Sequence, residues 1–200
     1  MKRLVVYIHG KGGSASEADH YKHLFPNSDV IGLDYKSQMP WEAVLEFPEL
    51  FNKVIANYDS VVLIANSIGA FFAMHALAKY KINTAFFISP IVDMEKLILD
   101  MLMYNGYTES DLQTRQEIRI DSGEVLSEQY LNYVRNNPDD WHIPTHILYG
   151  ENDDLTSINT MRAWADKTHA SLTIMPGGEH WFHTNEQMEF LDNWIKSVCI

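Results

Sequence analysis

The chain has 200 residues, of which 46% are hydrophobic and 21% are charged, and this balance is typical of one globular domain with a sizeable core. Its net charge of −12 argues against a protein that binds nucleic acid or an anionic membrane surface. The only cysteine, Cys199, stands one residue from the C-terminus. We therefore expect neither an intramolecular disulfide nor a cysteine-based zinc site, and we interpret Cys199 as incidental.

The first predicted element is a buried strand at residues 4–8, directly after the basic pair Lys2-Arg3. This apolar run is shorter than the roughly 7–15 residues of a signal-peptide core. No stretch of the sequence approaches the roughly 20 apolar residues that a membrane helix needs. These two observations favour a cytoplasmic protein that does not insert into a membrane.

Short apolar runs alternate with helical patterns along most of the chain. Strands are predicted at 4–8, 29–33, 61–64, 85–88, 145–148 and 171–175, and helices at 41–57, 68–80, 157–168 and 185–198. Pro48 is expected to interrupt the first helix. Most of the strands are continuously apolar, as parallel strands covered on both faces are. The order predicts an α/β fold, a three-layer α/β/α sandwich with a doubly wound, mostly parallel six-stranded sheet, in one domain spanning 1–200.

Residues 91–140 break this alternation. An apolar stripe at helical spacing runs from Met94 to Leu102, a second covers 130–134, and no strand is predicted between them. Because the segment lies between two predicted strands, we predict a helical cap inserted over one edge of the sheet. Most of its methionines and tyrosines are expected to form the core of the cap, with a few facing a substrate.

A serine lies between the predicted strand 61–64 and the predicted helix 68–80, in the sequence Ala65-Asn66-Ser67-Ile68-Gly69. On a sharp strand-to-helix turn a serine hydroxyl projects out of the backbone, and small residues two positions before and after it let strand and helix pass closely. Taken alone, this pattern is better explained by a serine that caps the following helix.

Polar residues follow the ends of several predicted strands, where ligand sites of open parallel sheets lie. The segment 9–14 follows the first strand, Ser67 the third, the segment 149–154 the fifth, and the segment 176–181 the sixth. A serine, an acid and a histidine thus follow separate strands at one edge of the sheet. The chain order Ser67, Asp153, His180 is one of the known orders of a serine triad.

These four loops together resemble those of the α/β-hydrolase superfamily, and the resemblance covers nearly the whole chain. Two features depart from the pattern of that family. Ala65 stands where the serine turn usually has glycine, and the chain begins at what resembles the third strand of the family. We therefore expect a compact six-stranded member.

The resemblance implies a serine hydrolase with no cofactor and no metal. It implies that Ser67 is the nucleophile, that His180 is the general base, and that Asp153 orients His180. It also implies an oxyanion hole made by the backbone N–H groups of Lys11 and Ile68, with Gly12 as the alternative to Lys11. Residues predicted to contact substrate are His9, Gly10, Gly12 and Trp181, although His9 is better explained as a buried histidine that shapes the oxyanion loop.

Other residues compete for these roles. Asp154 and Glu151 are alternatives to Asp153, but Asp154 is expected to cap the next helix or to lie in solvent. His183 is an alternative to His180 and is interpreted as a residue of the surface or of the next helix start. The nine histidines show no metal-ligand spacing.

The apolar and aromatic cap favours a small or medium uncharged carboxylic ester as the small-molecule substrate. The same triad also cleaves thioesters, amides and peptides, and a non-catalytic binding protein with this fold is the remaining alternative. A homodimer through the hydrophobic cap is also considered.

Overall fold

The computed structural model describes residues 2–198, so the interpretation of Cys199 lies outside the described residues. Within this range the strands are β1 (Arg3–Ile8), β2 (Asp29–Gly32), β3 (Ser60–Asn66), β4 (Thr84–Ile88), β5 (Glu117–Arg119), β6 (Val125–Ser127), β7 (Thr145–Gly150) and β8 (Ser171–Met175). The α-helices are α1 (Pro40–Ile55), α2 (Ile68–Leu77), α3 (Met94–Tyr104), α4 (Glu109–Arg115), α5 (Glu128–Asn136), α6 (Ile158–Thr168) and α7 (Asn185–Val198), and a 3-10 helix covers Ala15–His23.

Six of the strands form one sheet in the order β2-β1-β3-β4-β7-β8, and each neighbouring pair is parallel. The predicted six-stranded, doubly wound sheet is therefore confirmed. From β1 the chain moves outward to β2 and then returns to the other side through β3. Loops that leave β1 and β3 therefore diverge, and they open a crevice at the carboxyl ends of these two strands. Both His9-Gly10 and Ser67 follow strands that border this crevice.

Successive side chains of each strand point to opposite faces of the sheet. Each face packs against its own set of helices. On one face, Tyr7, Ile64 and Phe86 belong to a buried cluster with Tyr21 of the 3-10 helix and Trp194 of α7. On the other face, the Phe87 ring contacts Trp164 of α6 at 6.2 Å between centroids. The helices α1 and α2 pack against each other through Phe47 and Phe72.

Pro48 does not interrupt the first helix, so that prediction was wrong. The helix α1 runs through Pro48 from Pro40 to Ile55. Ala43, Phe47 and Phe51 recur at helical spacing on its buried face, and each has an exposed fraction of 0%. Burial of this stripe outweighs the backbone hydrogen bond that a proline inside a helix forfeits.

Residues Asp93–Asp139 form a compact unit of their own, within two residues of the predicted 91–140 insertion at its start and one at its end. The expectation that this segment held no strand was wrong, because β5 and β6 form an antiparallel hairpin in which Ile118 pairs with Leu126. Each strand has only three residues, too few for an alternating pattern to stand out. Within the unit, Arg135 donates hydrogen bonds to Glu95 and Glu109. Its role as a cap stays a prediction.

Among the described residues, no helix combines the length and the apolar character required to cross a membrane.

Candidate active site

Ser67 lies on a strained turn between β3 and α2. Its φ of 51° and ψ of −123° place a non-glycine residue in a region that L-residues rarely adopt. The turn is held because the Ser67 N–H donates to the carbonyl of Ile88 on β4 at 3.0 Å. The side chain makes no hydrogen bond to the first turn of α2. The Ser67 hydroxyl therefore does not cap α2.

The Ser67 hydroxyl instead contacts His180. The distance from Ser67 Oγ to His180 Nε2 is 2.8 Å, and that from His180 Nδ1 to Asp153 Oδ2 is 2.7 Å. A carboxylate only accepts hydrogen bonds, so Nδ1 carries the proton and Nε2 of the neutral ring is left to accept from the serine hydroxyl. The three side chains predicted from sequence thus form one chain of hydrogen bonds.

The orientation of the Asp153 carboxylate is fixed by hydrogen bonds to its other oxygen, Oδ1. The side chain is fully buried, and Oδ1 accepts hydrogen bonds from the backbone N–H groups of Leu155 at 2.9 Å and Thr156 at 3.0 Å. Burial, and then the charge of Asp153, raise the pKa of neighbouring Tyr149 to about 12. Because both oxygens have donors, the carboxylate has one orientation, with Oδ2 facing His180.

The loops that carry the acid and the histidine are joined through their backbones. The N–H of Asn152 donates to the carbonyl of Gly178 at 2.7 Å, and the N–H of Gly177 donates to the Glu151 side chain at 2.9 Å. A Cβ at Gly150 would lie 2.4 Å from the carbonyl oxygen of Glu179. Glycine at position 150 therefore lets the two loops approach closely, and Glu151 anchors this contact.

The competing residues have other surroundings. Asp154 is exposed, and the cap of α6 is Ser157, whose hydroxyl accepts from the N–H of Thr160. Of the two surroundings expected for Asp154, a helix cap or solvent, the structure has solvent. His183 is exposed, and its Nδ1 lies 2.8 Å from the carbonyl oxygen of Trp181.

The predicted oxyanion loop is a tight turn beside the serine. Gly13 N–H donates to the Gly10 carbonyl at 3.2 Å, and Gly12 has a φ of +74°, as the third residue of a type II turn requires. A Cβ at Gly10 would lie 3.2 Å from Ser67 Cβ. The turn therefore brings Lys11 and Gly12 close to Ser67, while Ile68 is the first residue of α2.

Ser67 and His180 open into a pocket of about 420 Å³, which falls in the range of small-molecule sites, roughly 300–1,000 Å³. Among the described residues its lining also includes the predicted positions Gly10, Lys11, Gly12 and Trp181, together with Gly13, Glu17, Asn66 and Leu155. The pocket therefore has both apolar and charged walls.

Trp181 and His9 differ in their surroundings. The Trp181 side chain is 67% exposed and its ring stacks on His183 at 4.2 Å between centroids. The His9 ring stacks on Tyr35 at 4.2 Å, and the Tyr35 hydroxyl donates to the His9 carbonyl at 2.8 Å. These contacts fit a histidine that shapes the loop, and a direct contact of His9 with substrate stays a prediction.

Four pocket residues, Gly13, Glu17, Asn66 and Leu155, were not predicted as site residues. Glu17 lies in the 3-10 helix Ala15–His23, for which no helix was predicted. The available signal was the sequence Ser14-x-x-Glu17, a capping box that marks a helix start. Within the described residues no group of three or more histidine, cysteine, aspartate or glutamate side chains is arranged to hold a metal ion.

Comparison with known proteins identifies the fold. No family model matches the chain, and no curated protein matches it by sequence. Solved structures do match, including Est1E from Butyrivibrio proteoclasticus, with a TM-score of 0.76 and 16% identity over 99% of this chain and 87% of the other. The mouse alpha/beta hydrolase domain-containing protein 10 matches with a TM-score of 0.77 and 13% identity over 98% of this chain and 89% of the other.

A third match, the lipase-esterase related protein from Clostridium acetobutylicum, has a TM-score of 0.66 and 14% identity over 98% of this chain and 93% of the other. The chain therefore has the α/β-hydrolase fold over essentially its full length. At these identities the likeness concerns the fold, and function has to be argued from the site.

Proposed function

We propose that the protein is a serine hydrolase that cleaves a small or medium carboxylic ester through an acyl-enzyme intermediate. The observation that carries the proposal is the continuous hydrogen-bond chain from Ser67 through His180 to Asp153. A serine hydroxyl needs a base within hydrogen-bond reach, and a base needs a group that fixes its tautomer. Both requirements are met by side chains from three different loops.

In the first half-reaction, Ser67 Oγ forms a bond to the acyl carbon while its proton passes to His180 Nε2. The electron pair of the carbonyl moves onto its oxygen, for which the N–H groups of Ile68 and of Lys11 or Gly12 are the proposed donors. When this tetrahedral species collapses, the bond to the alcohol oxygen breaks. The alcohol leaves with the proton from His180.

In the second half-reaction, water gives a proton to His180 and its oxygen bonds to the acyl carbon. Collapse then breaks the bond to Ser67 Oγ, which recovers the proton. Asp153 stabilises the imidazolium that forms in each half-reaction, because its buried Oδ2 accepts from Nδ1 at 2.7 Å. The acid is released and the enzyme is restored.

A fluorophosphonate probe and p-nitrophenyl acetate test this proposal. Wild-type protein is expected to label at one serine and to release p-nitrophenol in a burst, and Ser67→Ala is expected to lose both. Ser89→Ala is the matched control, because Ser89 follows the neighbouring strand β4 and is fully buried. Absence of labelling and turnover in folded wild-type protein would overturn the proposal, and labelling that survives Ser67→Ala would move the nucleophile elsewhere.

The scissile bond is a separate question, since one triad serves several acyl transfers. Comparing kcat/KM for an ester, a thioester and an aminoacyl amide with matched acyl groups measures the preference. We expect the ester to be the best of the three.

A further inference from the structure

Glu17 places a carboxylate in the same pocket as the proposed nucleophile. It lines the pocket with Ser67 and His180, whereas the hydrolysis mechanism assigns it no role. The sequence favoured an uncharged substrate, and a fixed negative charge in the pocket argues against that expectation.

The carboxylate of Glu17 is held in position by two donors. Tyr7 OH donates to Oε2 at 2.6 Å, and the backbone N–H of Ser14 donates to Oε1 at 2.9 Å. Tyr7 remains a donor because burial, then Tyr21 and the hydrogen bond to Glu17, raise its pKa far above the ordinary value. An ionised carboxylate offers about four acceptor positions, so about two remain for a ligand.

The turn beside the serine is built around this carboxylate. A Cβ at Gly13 would lie 2.7 Å from Glu17 Oε1 and 3.1 Å from Oε2, so a side chain at position 13 would displace the carboxylate. Glycine at position 13 thus lets the oxyanion turn contact the carboxylate directly. A second glycine, Gly32, lets β2 approach the helix that carries Glu17, since a Cβ there would lie 1.9 Å from the carbonyl oxygen of Ala15.

We infer that Glu17 is a specificity-determining residue that selects substrates carrying a cationic group, such as a primary ammonium, on the acyl or the alcohol part. The inference rests on the proposed hydrolase function. A fixed carboxylate with free acceptor positions attracts a cation and disfavours an anion. Lys11 also lines the pocket and brings an opposite charge, so the test below measures whether the charge of Glu17 dominates. The net charge of −12 adds to the attraction of cations.

Two pairs of esters that exchange carbon for charged nitrogen test the inference. On the acyl side, p-nitrophenyl 3-aminopropanoate is compared with p-nitrophenyl butanoate. On the alcohol side, butyrylcholine is compared with 3,3-dimethylbutyl butanoate. For each pair, the measured quantity is the ratio of kcat/KM for the cationic ester to kcat/KM for the neutral ester. This ratio is compared between wild type and each variant, so that differences in the intrinsic reactivity of the esters cancel.

The variants separate charge from structure. Glu17→Gln removes the charge, and we expect the ratio of at least one pair to fall by about fivefold. Tyr7→Phe removes one of the two hydrogen bonds to the carboxylate but leaves its charge and the bond from Ser14 N–H, and we expect it to keep the ratio within about twofold of wild type. The preference is also expected to weaken as salt is added, because the pocket is open to solvent.

The outcomes are distinct from those of the proposed function. Wild-type protein that hydrolyses the neutral esters, with ratios that Glu17→Gln leaves unchanged for both pairs, would overturn the role of Glu17 alone. An equal fall in Tyr7→Phe would attribute the effect to the position of the turn and would also overturn it. Folded wild-type protein that hydrolyses none of the four esters and does not react with a fluorophosphonate would overturn both proposals.

Discussion

Replacing Asp153 by asparagine is expected to lower kcat by about 10⁴ while leaving the fold intact. The Oδ1 atom accepts from the N–H groups of Leu155 and Thr156, so the amide oxygen of an asparagine has to occupy this position. Its NH₂ group then faces His180 Nδ1, where Oδ2 now lies at 2.7 Å. The reversed amide would leave two partly buried donors unsatisfied, at a cost of about 1–3 kcal/mol each.

This orientation reverses the tautomer of the histidine. Because the amide NH₂ donates to Nδ1, the ring proton moves to Nε2, and Nε2 then presents an N–H to Ser67 instead of a lone pair. His180 can no longer take the serine proton. A loss of about 10⁴ in kcat is expected, as for an aspartate-to-asparagine change in another serine triad. This loss corresponds to about 5 kcal/mol in the activation free energy.

The assay is kcat for p-nitrophenyl acetate, with the rate of fluorophosphonate labelling as a second readout. The matched control is Asp154→Asn, because Asp154 is the adjacent residue, has the same side chain and is exposed. The kcat of Asp154→Asn is expected to stay within about twofold of wild type. In a urea titration, the free energy of unfolding of both variants should stay within about 1 kcal/mol of wild type. An Asp153→Asn variant within tenfold of wild type, or equal losses in both variants, would refute the reasoning.

Four further substitutions probe the fold and the pocket. Gly69→Ala should lower the free energy of unfolding by about 3 kcal/mol and reduce kcat, because its Cβ would lie 2.2 Å from the carbonyl oxygen of His9. Pro48→Ala should raise the free energy of unfolding by about 1 kcal/mol, since it restores a backbone donor inside α1. Ser89→Ala should raise it by about 1 kcal/mol, because among the described residues the buried Ser89 hydroxyl has no hydrogen-bond partner. Trp181→Ala should raise KM for an aryl ester about threefold with a smaller change in kcat, since the ring lines the pocket and is 67% exposed.

Urea titration and steady-state kinetics check all four, with two controls. Gly106→Ala controls for Gly69→Ala, because no atom lies within 4 Å of an added Cβ at Gly106, so only the strain of its φ of +74°, about 1–2 kcal/mol, remains. An equal destabilisation of both would contradict the steric argument. Leu45→Ala, at another exposed apolar residue, controls for Trp181→Ala. If Pro48→Ala or Ser89→Ala lowered the free energy of unfolding, the corresponding argument would be wrong.

The sheet could be predicted from the sequence because its strands are continuous apolar runs. The strands β3 and β4 are buried on both faces, so nearly every residue in them is hydrophobic and no helical period competes. The predicted strand starts and ends agree with the structure to within two residues. The order Ser67, Asp153, His180 was equally accessible, because each residue lies within five residues of the end of one of these strands.

Features that depend on tertiary contacts could not be predicted in the same way. The continuity of α1 through Pro48 depends on burial of Phe47 and Phe51, which local propensity does not contain. The place of Glu17 in the pocket depends on Tyr7, ten residues earlier, because the hydrogen bond between them joins a helix to a strand. A sequence pattern shows the capping box of Glu17 but not the pocket it faces.

Two of the four non-glycine residues with a positive φ among the described residues lie at or beside the proposed nucleophile. Ser67 and Ser89 have φ values of 51° and 42°, and they follow the neighbouring strands β3 and β4. Such conformations cost about 1–3 kcal/mol each, and they persist where surrounding contacts hold them. Here the contacts are backbone hydrogen bonds, from Ser67 N–H to Ile88, from Ser89 N–H to Leu148, and from Ile91 N–H to the Ser67 carbonyl. These bonds lie within the sheet and at the ends of its strands. The turn therefore cannot relax without breaking the ends of β3 and β4. In this way the buried core of the sheet holds the hydroxyl of Ser67 at His180.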